Sequence, residues 1–115
     1  MSVKDLIKSL PCSVRVGPYD FRLETMSNRE AVGANAFGMF SQSEACIKLH
    51  SGLVSAALAI DTLIHEITHA IYWAYHIHER DDEERTVSIM GTAWAQIYRD
   101  NPWLLAWIAR GLGHA

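Results

Sequence analysis

Between residues 53 and 75 the apolar side chains Ile60, Ile64, Ile67, Ile71 and Tyr75 recur at steps of three and four. That spacing is the signature of one face of an α-helix, whose turn of about 3.6 residues brings such positions into register. Leu58, Leu63, Ala70 and Trp73 add apolar surface elsewhere on the same segment. The predicted helix is therefore central and largely buried, and the rest of the chain must supply its cover.

That cover has to come from a chain of 115 residues, which has room for one core, so residues 1–115 are read as a single domain. Half of the residues are hydrophobic and a fifth are charged, the balance of a chain that packs a core rather than staying disordered. Before the central helix, a short helix is followed by strands. Val14, Arg15 and Val16 lead into Gly17-Pro18, after which Phe21, Leu23 and Thr25 alternate with Arg22, Glu24 and Met26. Alternation across a turn signal predicts a hairpin. Residues 33–40, with Gly33, Asn35 and Gly38, read as a loop entering another extended piece, and residues 45–50 as a half-buried strand with Ile47 and Leu49 on one side and Lys48 on the other. A second helix is expected from Asp81 or Asp82, carrying Val87, Met90, Trp94, Ile97 and Tyr98 and ending at Asn101-Pro102. A last helix would be capped by Asn101, hold Pro102 in its first turn and run to Gly111.

Charge and composition exclude several function classes. A net charge of −3 and a pI near 6.0 leave no basic footprint for a phosphate backbone, so direct binding of nucleic acid is not expected. Residues 1–10 lack the unbroken apolar stretch of a secretion signal, and residues 53–64, interrupted by Ser55, Asp61 and Thr62, are too short to cross a bilayer. The expectation is a cytoplasmic protein that does not enter the membrane. Cys12 and Cys46 have no paired spacing and are expected to be small buried hydrophobes, with a zinc-ligand role as the alternative.

The chemistry is concentrated in His65-Glu66-Ile67-Thr68-His69, an H-E-x-x-H sequence inside the central helix. Four residues advance a helix by slightly more than one turn, so both imidazoles leave the same face and can reach one ion at about 2.0–2.1 Å. Glu66 stands beside them, placed to take a proton from water activated by the ion. A catalytic zinc takes three protein ligands and keeps one position open. A third histidine six residues after His69 is ruled out because Tyr75 stands there, and His76 and His78 come too late in the helix. Glu83 and Glu84 open the next helix, which can fold back against the first; Glu84 is preferred, because Ser88 and Gly91 on its helix would allow close approach. The alternative for Glu84 is a capping role, three residues after Asp81. Tyr72, Tyr75 and Tyr98 are each open as oxyanion donors, and Trp103 and Trp107 as core or as a partner-binding face.

His65, Glu66 and His69 with the downstream Glu84 resemble the gluzincins, the thermolysin-like branch of the zincin metallopeptidases. Asp61-Thr62-Leu63 before the motif, Glu83-Glu84 after it and Asn101-Pro102 near the end look like small zincin-like metallopeptidases of phages and prophages. The resemblance covers residues 45–105, and Ser88 departs from it where the thermolysin-like enzymes often carry an acidic residue. It implies an α+β fold: a minimal zincin-like domain with a small antiparallel or mixed sheet packed on the H-E-x-x-H helix, a glutamate-bearing second helix and a short C-terminal helix. It also implies a zinc ion on His65, His69 and Glu84, Glu66 as general base, and a peptide or protein substrate paired to the edge strand, expected at residues 45–50. The rival expectation is a zincin-like module that binds a protein partner, with its metal structural or absent.

Overall fold

A computed structural model describes residues 1–34 and 37–114; Asn35 and Ala36, within the predicted loop, lie outside the described residues. Helix α1 (Val3–Lys8), capped by the Ser2 hydroxyl, leads to strands β1 (Ser13–Val16) and β2 (Tyr19–Met26). Gly17 turns the chain between them at φ +60°, a conformation that costs glycine nothing. The expected hairpin forms, with Val14 opposite Phe21 and Val16 opposite Tyr19.

Helix α2 (Asn28–Ala34) follows, so the first part of the predicted loop is helical. The Ser27 hydroxyl accepts from the Glu30 N–H and starts it. Strands β3 (Gly38–Ser41) and β4 (Cys46–His50) complete a four-stranded mixed sheet of order β1-β2-β4-β3. β4 runs parallel to β2 and antiparallel to β3, with Leu49 opposite Thr25 on one side and Gly38 on the other. The expectation that residues 45–50 form the sheet edge is therefore corrected: β4 is interior, and β3 is the edge on that side. Ile47 and Leu49 are buried while Lys48 is half-buried, as the alternation required.

Helix α3 (Ala56–Ala74) begins where the Ser55 side chain accepts from the Leu58 N–H. Its inward stripe is Ala59, Leu63, Ile67, Ala70 and Ile71, all fully buried against the apolar face of the sheet. Ile60 and Ile64, read as part of that stripe, sit at its half-buried margin. Phe21 carries the packing outward, with its ring 5.5 Å from Phe40 and 5.9 Å from Trp73. On the other side α3 packs against α1 and α5 (Trp103–Gly111). Trp107 is buried there and donates its indole N–H to the Leu6 carbonyl at 2.9 Å, and Trp103 is half-buried against the core, so packing accounts for both.

Helix α4 (Glu83–Asp100) packs on β1. The buried Asn101 accepts from the Arg15 N–H through its side-chain oxygen and donates to the carbonyls of Arg15 and Ile97. Its side chain thus closes α4 and fastens it to the hairpin instead of capping α5, whose first residue is preceded by Pro102. No described helix is long and apolar enough to cross a membrane.

Candidate metal centre

A stripe of α3 at three- and four-residue steps, Asp61, His65, His69 and Tyr72, is exposed, and Leu58 at its N-terminal end is half-buried against the core. The His65 and His69 rings lie 4.9 Å apart, nearly perpendicular. Their nitrogens and the Glu66 carboxylate come within 4.8 Å of one another, the one group of metal-capable side chains among the described residues. Tetrahedral ligands at about 2.0–2.1 Å from an ion are about 3.4 Å apart, which falls inside that bound. The two imidazole nitrogens are donors of the kind that suit zinc, copper, iron or nickel, and Glu66 is the carboxylate beside them. Phe40 on β3 lies nearly parallel to the His69 ring, with centroids 6.5 Å apart.

Glu66 differs from its exposed neighbours. Only 6 % of it is accessible, because α3 meets the edge strand at this point. A Cβ on Gly38 would lie 2.6 Å from Thr62 Cγ2 and 2.9 Å from Glu66 Oε2, so only glycine permits the approach. Burial pushes the Glu66 carboxyl above the usual carboxylate range, opposed by the charges of His65 and His69. A carboxylate so held is a stronger base than one in water. Gly38 had a sequence signal, a lone glycine among Phe37, Met39 and Phe40, the pattern that marks close backbone approach in a strand.

Two grooves flank His65. One, of about 330 Å³, is lined by Phe37, Gly38, Leu58, Asp61, Thr62, His65 and Glu66. The other, of about 290 Å³, is lined by His65, Thr68, His69 and Tyr72. Among the three tyrosines considered, Tyr72 alone lines this site. The Tyr75 hydroxyl donates to Gln96 at 3.0 Å, and Tyr98 packs on Trp94.

Glu83 and Glu84 lie on the exposed first turn of α4, and neither joins the His65–Glu66–His69 group. Gly91 has no atom within 4 Å of where its Cβ would be, and Ser88 is exposed, so the close helix approach expected at these residues is corrected. The capping hydrogen bond considered for Glu84 falls elsewhere, while Glu84 does stand in the first turn of α4, where the helix dipole favours an acidic side chain. Asp82 accepts from the Arg85 N–H at 2.8 Å, and the Asp81 N–H donates to the His78 carbonyl. Neither glutamate has an ion pair or side-chain hydrogen bond with a described residue.

Cys12 is exposed, against expectation, and Cys46 is buried. Burial and the adjacent Glu24 push the Cys46 thiol up, toward the protonated form that does not ligate metal. His76 and His78 are exposed beyond the end of α3 and His50 bonds Asn28, all outside the group. Scans against protein-family models, curated proteins and solved structures each returned no match.

Proposed function

We propose that this chain is a zinc-dependent metallopeptidase of the zincin-like, gluzincin type, the kind carried by phages and prophages. The observation that carries the reading is the grouping of two imidazoles and a buried carboxylate on one helix face, beside a free strand edge. His65 and His69 would hold the ion as neutral imidazoles. Zinc bound there supplies Lewis acidity that polarises a carbonyl and acidifies water.

The remaining steps belong to the chain. Glu66 takes the proton from the attacking water and carries it to the leaving amine nitrogen, a role favoured by a carboxyl already raised by burial. The Tyr72 hydroxyl, from a side chain that lines the groove beside His65 and His69, would donate to the oxygen that gains charge. β3, the outer strand of the sheet among the described residues, would pair with an extended peptide. The third ligand in this reading is Glu84, as the resemblance to the gluzincins implies; it shares the exposed first turn of α4 with Glu83, outside the His65–Glu66–His69 group.

One observation favours a second reading, a zincin-like protein-binding module: the described residues gather two histidines and the base, with no further ligand beside them. Metal content and peptide hydrolysis of wild type and Glu66→Gln separate the two. The peptidase reading expects zinc retained by both proteins and hydrolysis lost in the variant by at least about 10²-fold. Zinc retained with unchanged hydrolysis removes Glu66 from its role, and zinc absent from wild type removes the metal centre.

A further inference from the structure

The groove on the N-terminal side of His65 has a chemical character that the hydrolytic reading does not use. Phe37 and Leu58 form apolar walls, and Asp61 places a carboxylate among them. Asp61 is exposed and has no ion pair with any described residue. A carboxylate at the rim of an apolar slot matches a side chain with an apolar stem and a cationic tip.

The fold also sets which substrate position reaches that slot. Gly38 lies against Thr62 and Glu66, and Phe40 lies against His69, so β3 and α3 advance in the same direction. Antiparallel pairing is the more stable mode for a peptide joining the free edge of β3. Such a peptide runs against α3, with its N-terminal part beside His69 and Tyr72. Its C-terminal part passes over His65 toward Leu58 and Asp61.

We infer that the Phe37–Leu58–Asp61 groove selects a lysine or arginine immediately after the bond to be cut. The inference rests on the peptidase reading for the position of that bond, while recognition of the basic side chain itself requires no metal.

Two measurements test it. Alanine-rich peptides carrying a single Lys, Leu or Glu are titrated into the metal-free protein and followed by amide NMR shifts. The Lys peptide should bind more tightly than the Glu peptide and move the Phe37 and Asp61 signals. With zinc-loaded protein, kcat/KM should favour Lys over Leu after the cut bond by about fivefold, the scale of one solvent-exposed charge pair, and the preference should shrink as salt rises. Asp61→Asn should bring that ratio to near one, and Asp61→Lys should reverse it in favour of Glu.

Cleavage that ignores the following residue, or a preference unaltered in Asp61→Lys, overturns the groove assignment and leaves the peptidase reading intact. If neither peptide is cut but the Lys peptide still binds at Phe37 and Asp61, the peptidase reading fails and the groove stands. Equal binding of Lys and Glu peptides overturns the groove on its own.

Discussion

Glu66 and Gly38 are a single feature seen from two sides. A buried carboxylate is costly unless something holds it, and here it is wedged where the edge strand has no side chain to displace it. Gly38→Ala should therefore destabilise the protein by about 1–3 kcal/mol, the usual cost of forcing atoms into a filled space. Gly91→Ala is the matched control. Gly91 sits within the exposed face of α4 with no atom within 4 Å of its Cβ position, so alanine should stabilise by about 1 kcal/mol through helix propensity. Urea denaturation of both variants reads the difference; equal effects of the same sign would mean that α3 and β3 do not meet at Gly38. The histidine pair was legible because helix geometry alone relates residues four apart. The contact of Glu66 with Gly38 was not, because it joins positions 28 residues apart in sequence (66 − 38) and depends on which strand becomes the edge.

The same division holds for whole elements. The β1–β2 hairpin and α3 follow from local periods of two and 3.6, and both stand where the sequence put them. The place of β4 inside the sheet depends on its pairing with both β2 and β3, which alternation within one strand cannot express. Caps belong to this class too. Asp81 and Asp82 are adjacent, and only the path of the loop decides that Asp82 caps α4 while Asp81 receives the His78 N–H and the Arg85 guanidinium. Those contacts, the His78 backbone first, hold the Asp81 carboxyl below its ordinary 3.8. A lowered carboxyl contributes stability above its unfolded pKa and loses it as pH falls through the folded one. Asp81→Asn should thus weaken the protein at neutral pH, and the gap from wild type should close as the solution is acidified below 3.8. Asp82→Ala should cost about 1 kcal/mol at neutral pH, while Glu84→Ala should cost less than about 1 kcal/mol, the scale of a first-turn charge on the helix dipole, and lower zinc affinity. A loss of stability in Glu84→Ala with zinc affinity intact would return that residue to a structural role.

At the scale of the molecule, the two histidines of the proposed metal site stand exposed on a helix whose inner face is already held by sheet, α1 and α5, while Glu66 is buried against the edge strand. The folded chain measures 38 × 36 × 23 Å, its hydrophobic core cluster draws on strands and helices alike, and the proposed ligands His65 and His69 are exposed. A site built this way does not create the fold, unlike small domains that unfold without their metal. Zinc should therefore act as a ligand of an already folded protein and raise stability by about 2.7 kcal/mol at a free concentration a hundredfold above Kd, a rise in Tm on the order of 10 °C. Chelation should reverse the rise and leave the helical circular dichroism in place. Because His65 and His69 would contribute the nitrogen donors of the proposed site, His65→Ala should abolish the shift. Glu66→Gln should keep it, since the base is not needed to hold the ion. Collapse of the helical signal on chelation would make the metal structural and favour the binding-module reading, and a shift that survives loss of both histidines would place the ion elsewhere on the chain.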